Sequence, residues 1–387
     1  MTSYVFVFGS TPELSHLELS SLFPYAHQIS TALGEVSQAG FTIDGKVQTP
    51  NELIGQMGGT VKIAESIRSI SSPEALGDIV EILRESAADG RITFGISVYG
   101  KGNIQREHLE EIKQRLSAYG IRARFIEPKE GQTLGSVVVE KTSMVEIILY
   151  EKDGIWRAGR TMAVQPFEKW IFRDRQRPQS DAKSGMLPLK VARMIVNIGF
   201  GGKAGEKIVL DPFCGTGSIL MEALLSGAIC FGSDIKREIL LKTEANLAWV
   251  KETYHLHPSF TLIHCDASHV SEHVPNNSID AIITEPFLGT ARLGEGKITK
   301  IQKIQNILKG LEKMFIGCFR DWHHVLKPKG KVVIAIPSYV IGGVHYSVKN
   351  IIDMCENLGY TKRQGPIAYS RPQAVVTRQF YVFEKIS

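Results

Sequence analysis

Residues 208–218 read Ile-Val-Leu-Asp-Pro-Phe-Cys-Gly-Thr-Gly-Ser, and this stretch decides the fold expected for the C-terminal half of the chain. The apolar residues predict a short buried strand that ends at Asp211, and the glycines predict a tight turn that opens a helix. A dinucleotide-binding turn would instead follow the pattern Gly-x-Gly-x-x-Gly. An acidic residue at the strand end suits a cofactor with an amino-acid moiety, because a carboxylate can pair with an ammonium group.

Strand and helix patterns alternate beyond residue 207. We expect strands at residues 207–211, 229–233, 260–264, 279–284 and 331–336. A last strand, Phe380–Phe383, follows an extended basic segment. We expect helices at residues 217–227, 237–250, 300–325 and 346–357. This alternation predicts an α/β fold with a parallel doubly wound sheet that binds ligands at the carboxyl ends of its strands.

Carboxylates follow the second and third predicted strands. Asp234 lies 19 residues after Gly215, a spacing typical of an acid that accepts both hydroxyls of a ribose. Asp266 closes the next strand, where it could accept the exocyclic amine of an adenine. Each residue alone is more typical of a turn or a helix N-cap than of a ligand contact, but their occurrence at successive strand ends favours a binding site.

The fourth strand ends in Thr-Glu-Pro-Phe-Leu-Gly at residues 284–289. The Glu285 carboxylate and the Pro286 carbonyl can accept hydrogens from a planar exocyclic amine, and the Phe287 ring can stack on a base. Such contacts position an amine for reaction without covalent catalysis. The alternative is an ordinary strand-end turn, in which Pro and Gly are common.

Composition bounds the class of protein. The 387 residues, 43% hydrophobic and 22% charged, predict a soluble globular protein of two or three domains. No apolar run approaches the ~20 residues that cross a bilayer, and the N-terminus lacks the features of a secretory signal. Five cysteines without a Cys-x-x-Cys pair argue against a disulfide framework and against a metal site. We therefore expect a cytoplasmic protein without a metal or membrane partner.

The charge distribution is uneven. Residues 101–200 and 301–387 carry net charges of +6 and +8, whereas residues 1–100 and 201–300 carry −6 and −3. This asymmetry favours a polyanionic partner, although scattered solvated lysines would give the same totals.

The four strand-end features, in this order, resemble a class I S-adenosylmethionine-dependent methyltransferase that acts on an amino group. Residues 172–178 (Phe-Arg-Asp-Arg-Gln-Arg-Pro) and 184–193 (Ser-Gly-Met-Leu-Pro-Leu-Lys-Val-Ala-Arg) are similar to the entry into the catalytic domain of the tRNA guanosine-10 N2-methyltransferase family. Residues 58–64 and 375–383 also resemble this family. The resemblance covers nearly the whole chain and is most specific from about residue 170 to about residue 290.

The resemblance implies four parts. These are an N-terminal ferredoxin-like α+β domain (1–90), a THUMP-like RNA-binding domain (91–165), a basic linker (166–190) and a Rossmann-like catalytic domain (191–387).

The resemblance also implies roles for individual residues. The methionine end and backbone of S-adenosylmethionine would contact Asp211, Phe213, Gly215 and Gly217. The ribose would contact Asp234 with Ile235, and the adenine would contact Asp266 with Ala267. A loop of Gly185, Met186, Leu187 and Pro188 would close over the cofactor. The guanine amine would be held by the catalytic residues Glu285, Pro286 and Phe287.

RNA contacts are implied as well. The RNA backbone would be gripped by Lys101, Arg122 and Arg124, and the catalytic mouth would be flanked by Arg173, Arg175 and Arg177. The alternative for these last three residues is local ion pairing with Asp174 and Asp181.

One motif departs from the family. The fourth motif is usually Asp-Pro-Pro-Tyr, whereas residues 285–288 read Glu-Pro-Phe-Leu. A displacement of ~1 Å at a reacting centre can cost about a hundredfold in rate, and Glu is one methylene longer than Asp. Three explanations remain open, namely a rebuilt pocket, a different target base or a weak catalyst.

These observations predict methyl transfer from S-adenosylmethionine to the N2 amine of a guanosine in tRNA, with position 10 the leading candidate. We expect no activator subunit. Two alternatives are a DNA adenine-N6 or cytosine-N4 methyltransferase and an RNA-binding protein with a relic site.

Overall fold

The structure is a computed structural model that describes residues 2–38, 41–43, 46–180, 186–202, 204–289, 297–348, 350–370 and 376–386. The chain divides into two compact units, Met1–Lys169 and Trp170–Ser387. Within the described residues, no helix is both long enough and apolar enough to cross a bilayer.

The first unit mixes helices with antiparallel and parallel strands. Its strands are β1 (Thr2–Phe8), β2 (His27–Ser30), β3 (Leu33–Gln38), β4 (Phe41–Ile43), β5 (Lys46–Gln48), β6 (Thr60–Ile70), β7 (Arg91–Tyr99), β8 (Arg122–Ile126), β9 (Val145–Lys152) and β10 (Ile155–Val164). Its helices are α1 (Pro12–Leu22), α2 (Pro50–Gly55), α3 (Leu76–Ser86), α4 (Arg106–Ala118) and α5 (Ser136–Thr142).

Eight of these strands form one sheet in the order β2-β3-β1-β6-β10-β9-β7-β8. The sheet runs through both predicted N-terminal domains. Strand β6 of the first pairs antiparallel with β10 of the second, and Ile70 lies opposite Trp156. A core of buried apolar side chains that includes Ile79, Phe94 and Ile112 joins α3 and α4 to the sheet. The predicted division near residue 90 stays a prediction.

The second unit alternates strands and helices as the sequence predicts. Helix α6 (Phe167–Gln176) spans the division between the two units. The other helices are α7 (Leu189–Phe200), α8 (Ser218–Leu225), α9 (Arg237–Tyr254), α10 (Lys297–Val325) and α11 (Asn350–Asp353). The strands are β11 (Ile208–Asp211), β12 (Ile229–Asp234), β13 (Phe260–His264), β14 (Ile279–Thr284), β15 (Leu326–Ile341), β16 (Val344–Ser347), β17 (Tyr360–Tyr369) and β18 (Val376–Lys385).

The second unit forms an eight-stranded sheet, in which seven strands follow the order β13-β12-β11-β14-β15-β18-β17 and β16 pairs with β15. The first five run parallel, whereas β18 is antiparallel to both β15 and β17. The α/β fold with a Rossmann-like sheet is confirmed, with the correction that the sheet is mixed at one side. Because β11, β12 and β14 are parallel neighbours or next neighbours, their carboxyl ends lie on one edge. The core beneath this sheet centres on Phe315, Phe319 and Trp322, all fully buried.

Three predicted segments differ from the structure. The sequence predicts a helix over residues 346–357, but residues 344–347 form β16, which returns against β15 through a turn at Gly342 and Gly343. Both glycines have positive φ, which suits a two-residue hairpin. The basic segment before the last strand contains β17, a strand that the sequence did not predict. Residues 167–176, expected to be irregular, form α6.

Candidate active site

The backbone conformation of the loop between β11 and α8 depends on its glycines. Gly215 and Gly217 have φ of +50° and +85°, and a Cβ on Gly217 would lie 2.9 Å from Cγ2 of Thr243. The Thr243 hydroxyl donates a hydrogen bond to the Gly215 carbonyl, and the Cys214 amide donates to the Ser233 carbonyl at 2.9 Å. These bonds fix the backbone where the N-terminus of α8 meets a cavity.

Asp211 ends β11 and is 1% exposed. Its Oδ1 accepts hydrogen bonds from the Thr284 hydroxyl at 2.6 Å and from the Phe213 amide at 3.2 Å. The pKa of Asp211 is raised to about 7, mainly by burial and also by the nearby carboxylates of Asp234 and Glu285, while the two hydrogen bonds oppose this shift. A cation in the cavity would stabilise the ionised form of this group.

The predicted ribose and adenine residues follow the next two strands. Asp234 ends β12, and its Oδ1 accepts a hydrogen bond from the Lys236 amide at 2.9 Å. Asp266 follows β13, and its Oδ1 accepts bonds from the Ser268 amide and hydroxyl, which lower its pKa. Asp266 therefore stabilises a turn and also lines the cavity. The turn and the binding-site position that the sequence left as alternatives occur together. The adjacent carbonyl of Ala267 is fixed by the Trp322 indole N–H at 2.8 Å.

The segment after β14 is fixed from two other strands. Glu285 Oε1 accepts a hydrogen bond from Arg378 Nε at 2.5 Å, and the side chains are 15% and 8% exposed. The Tyr339 hydroxyl donates to the Leu288 carbonyl at 2.7 Å. Pro286 is buried, and the Phe287 ring is 64% exposed. The segment thus offers a carboxylate in an ion pair and an accessible aromatic face.

These elements surround one cavity of about 630 Å³, a size typical of cofactor pockets. It brings together most of the predicted cofactor and catalytic residues: Met186, Leu187, Asp211, Phe213, Gly215, Asp234, Ile235, Asp266, Ala267, Glu285, Pro286 and Phe287. Gly217 and Pro188 are not among the lining residues, and Gly185 lies outside the described residues.

The cavity also holds residues that sequence reasoning missed. These include Thr216, Ser218, Lys236, Ile239, Leu288, Met314 and Arg378. Arg378 lies in a terminal segment that resembled the family, but the segment carried no motif that marks a site. Thr284, which donates to Asp211, is likewise indistinguishable from any β-branched strand residue.

Two predicted RNA contacts are wrong. Arg173 of α6 and Arg177, which directly follows that helix, are each 6% exposed, because both side chains contact residues of α8. Arg173 Nε donates to Glu222 Oε1 at 3.1 Å, and Arg177 donates to the Ser218 hydroxyl at 3.0 Å and pairs with Asp174 at 3.0 Å. The ion pair with Asp174 agrees with the alternative weighed from the sequence, whereas the pair with Glu222 was not foreseen.

The other predicted RNA contacts are accessible. Lys101, Arg122, Arg124 and Arg175 are exposed. Within the described part of the chain, no group of three His, Cys, Asp or Glu side chains is placed to hold a metal ion.

Comparisons with known proteins point to one family. Residues 176–338 match the family described as UPF0020, RMKL-like, methyltransferase domain. The chain is 33% identical over 156 residues to a tRNA (guanine(10)-N2)-dimethyltransferase of Methanothermobacter thermautotrophicus, covering 40% of each chain. It is 31% identical over 121 residues to a probable tRNA (guanine(10)-N2)-dimethyltransferase of Methanothermococcus thermolithotrophicus, covering 31% of this chain and 74% of the relative.

A solved structure shares the fold over the whole chain. TrmN from Thermus thermophilus aligns over 100% of both chains, with a TM-score of 0.53 and 16% sequence identity.

The Rossmann-like sheet, with its glycine loop and its carboxylates at the ends of β11, β12 and β14, defines a class I methyltransferase domain, and S-adenosylmethionine is its cofactor. The chain belongs to the tRNA (guanine(10)-N2)-dimethyltransferase family. The matches span from about a third to a half of the length of three of these relatives.

Proposed function

We propose that this chain transfers a methyl group from S-adenosylmethionine to the N2 amine of a guanosine in tRNA, with position 10 the leading candidate. The observation that carries this proposal is the single cavity that unites the glycine loop, the strand-end carboxylates and the Glu285-Pro286-Phe287 segment. The names of the relatives support the same reaction.

The residues of the cavity fit the cofactor. Asp211 is a buried carboxylate that a cofactor ammonium group would complement, and Asp234, which lines the same cavity, would accept the ribose hydroxyls. The exposed Asp266, beside the fixed Ala267 backbone, suits the adenine amine. When bound, the cofactor supplies an electrophilic methyl group next to the Glu285-Pro286-Phe287 segment.

The chain's own residues then act by positioning. The Glu285 carboxylate and the Pro286 carbonyl accept N–H groups of the target amine, which points the nitrogen lone pair at the methyl carbon. Phe287 stacks on the base. No covalent bond to the protein is required.

An arginine cluster supports RNA binding by the first unit. Arg122 and Arg124 lie on the edge strand β8, and the register places Arg91 of β7 opposite Arg122. Their neighbours Ile92 and Ala123 belong to the core, so the alternation of a strand turns the arginines to the other face. Like charges opposite one another destabilise a sheet, and a phosphate backbone would relieve that repulsion.

We further infer that the protein acts alone on tRNA in the cytoplasm, that residues 91–165 form a THUMP-like RNA-binding domain and that Lys101 and Arg175 add to the RNA surface. The exposure of Lys101 and Arg175 supports their place on an RNA surface, and five free cysteines are typical of a protein in a reducing compartment.

The decisive experiment is incubation of the purified protein with labelled S-adenosylmethionine and an unmodified tRNA transcript, followed by nucleoside analysis. We expect label in N2-methylguanosine or N2,N2-dimethylguanosine. Asp234→Ala should weaken cofactor affinity by roughly tenfold or more, because charged hydrogen bonds contribute about 1.5–3 kcal/mol. Glu238→Ala, at an exposed acid in the first turn of α9, is the matched control. Label in duplex DNA would support the DNA alternative, and absence of cofactor binding would refute the proposal.

RNA binding is tested separately. Arg122→Glu with Arg124→Glu should weaken tRNA binding at low salt and reduce the salt dependence of the binding constant, by about one unit of slope per phosphate contact. Arg115→Glu is the control, since Arg115 is an exposed arginine of the same unit that already pairs with Glu111. Equal effects of both changes would refute a specific role for β8.

A further inference from the structure

Arg378 lines the cavity but has no role in the proposed methyl transfer. It lies on β18, its side chain is 8% exposed, and its Nε donates to Glu285 Oε1 at 2.5 Å. A guanidinium carries five N–H donors, more than one carboxylate can accept. Arg378 can therefore hold Glu285 and contact a substrate in the same arrangement.

The charge of the cavity gives Arg378 a distinct position. Four carboxylates, of Asp211, Asp234, Asp266 and Glu285, are among the described lining residues. Two cations, Lys236 and Arg378, are among them as well. Lys236 is exposed and lies two residues past the proposed ribose ligand, whereas Arg378 contacts the segment proposed to hold the target base.

We propose that Glu285 and Arg378 together recognise the Watson–Crick edge of the target guanine, an inference that rests on the proposed function. That edge presents the acceptor O6 and then the donors N1–H and N2–H. A guanidinium beside a carboxylate presents the complementary order, in which Arg378 donates to O6 and the two oxygens of Glu285 accept from N1–H and N2–H. Adenine presents a donor followed by an acceptor at the corresponding positions and is therefore mismatched at both.

The surrounding backbone is fixed in a way that this recognition requires. The Tyr339 hydroxyl anchors the Leu288 carbonyl at 2.7 Å, and Tyr339 itself is fully buried. The neighbouring Phe287 ring is 64% exposed and can cover the face of a base whose edge meets the ion pair. The face contact of Phe287 and the edge contact of Glu285 would then come from one anchored segment, and Arg378 would add its contact from β18.

This arrangement also accounts for the departure of the fourth motif from Asp-Pro-Pro-Tyr. A glutamate carboxylate lies one methylene further from the backbone than an aspartate carboxylate. In this structure that longer side chain meets Arg378 on β18. The Glu residue and its arginine partner act as one recognition unit.

The test compares two substrates, tRNA carrying guanosine or 2-aminopurine at the position that the wild type methylates. 2-Aminopurine keeps the 2-amino group but lacks O6 and N1–H. The wild type should methylate guanosine faster by a factor of ~100 or more, as expected for a site built on polar contacts. Arg378→Gln should reduce this ratio by about tenfold, because it removes the guanidinium that donates to O6, which is one of the two contacts that 2-aminopurine lacks.

Two further variants separate base recognition from support of the loop. Arg378→Lys retains the positive charge beside Glu285 but lacks the planar fork of donors. We therefore expect its rate ratio of guanosine to 2-aminopurine to stay below the wild-type ratio. Arg363→Gln, at an exposed arginine of the neighbouring strand β17 that pairs with Glu384, should leave the ratio unchanged. If Arg378 only supported the loop, both substrates would slow equally and the ratio would stay at its wild-type value, which would overturn the inference.

A binding measurement distinguishes failure of this inference from failure of the proposed function. Guanosine monophosphate and the monophosphate of 2-aminopurine riboside are titrated into wild type and Arg378→Gln in the presence of S-adenosylhomocysteine. A wild-type preference for the guanine nucleotide that Arg378→Gln abolishes supports the inference even if no tRNA is methylated. Formation of N2-methylguanosine without any such preference, or with a preference that survives the substitution, refutes the inference and leaves the proposed function standing.

Discussion

The hydroxyl of Thr284 donates a hydrogen bond to the carboxylate of Asp211 across 2.6 Å, and both groups are buried. The bond joins the end of β14, where the target segment begins, to the end of β11, where the cofactor loop begins. This side-chain hydrogen bond therefore links the cofactor segment to the target segment, in addition to the pairing of β11 with β14.

Replacing Thr284 by Val should remove this hydrogen bond with little change in the shape of the side chain. Asp211 would lose the hydrogen bond from Thr284 in a buried position, so the free energy of unfolding should fall by ~1–3 kcal/mol. Affinity for S-adenosylhomocysteine should fall as well, which calorimetric titration measures. Thr284→Ser retains the hydroxyl and is the control. Identical urea midpoints for wild type, the Val variant and the Ser variant would contradict this prediction.

Ionisation of Asp211 should give the cofactor-free protein a distinctive pH profile. Burial raises the pKa of Asp211 from 3.8 to about 7. Between these values the folded state holds a proton that the unfolded chain has lost, so this group's contribution to stability falls as pH rises and is fully lost above about pH 7. Asp211→Asn cannot ionise but still offers an acceptor to Thr284.

The unfolding free energy of Asp211→Asn minus that of wild type should consequently increase between about pH 5 and about pH 8. Urea titrations at half-unit intervals of pH measure this difference. A difference that is constant or that decreases with pH would mean that Asp211 is ionised throughout.

Glu222 is a structural carboxylate at the centre of two buried ion pairs. Its two oxygens accept hydrogen bonds from Arg173 Nε at 3.1 Å and from Arg193 Nε at 2.8 Å, and Glu222 is fully buried. Glu222→Gln leaves two buried guanidinium groups without their counterion and should lower the free energy of unfolding by ~3–5 kcal/mol. Denaturant unfolding measures the loss. Arg363→Gln, which breaks a more exposed ion pair with Glu384, should cost at most ~1 kcal/mol.

Gly289 should be required for activity rather than for folding. Its φ is +91°, and a Cβ there would lie 2.1 Å from the Tyr339 hydroxyl that anchors Leu288. Gly289→Ala should displace the target segment and slow methyl transfer by about a hundredfold, as expected for a shift of ~1 Å. Gly310→Ala is the matched control, because a Cβ on Gly310 of α10 meets open space and should stabilise the helix by up to ~1 kcal/mol. A wild-type rate for Gly289→Ala would show that the anchor has no role in catalysis.

Local patterns in the sequence were sufficient to predict the alternating strands and helices of the second unit and the positions of its four strand-end motifs. Each depends on neighbours along the chain: an apolar strand, a glycine turn and the helix that follows, as at Asp211 and Gly215. The spacing of Asp234 is also local, because one helix and one strand separate it from the loop. The cavity contains these residues together, as the order of parallel strands requires.

Contacts between distant segments were decided only by the tertiary structure. Glu285 and Arg378 are 93 positions apart, and antiparallel insertion of β18 beside β15 is what brings them within 2.5 Å. Arg173, predicted to contact RNA from a basic linker near the catalytic mouth, is instead buried against Glu222, 49 positions away. The physical reason is that charge and periodicity describe one segment at a time, whereas the partner of a buried charge depends on which elements pack against it.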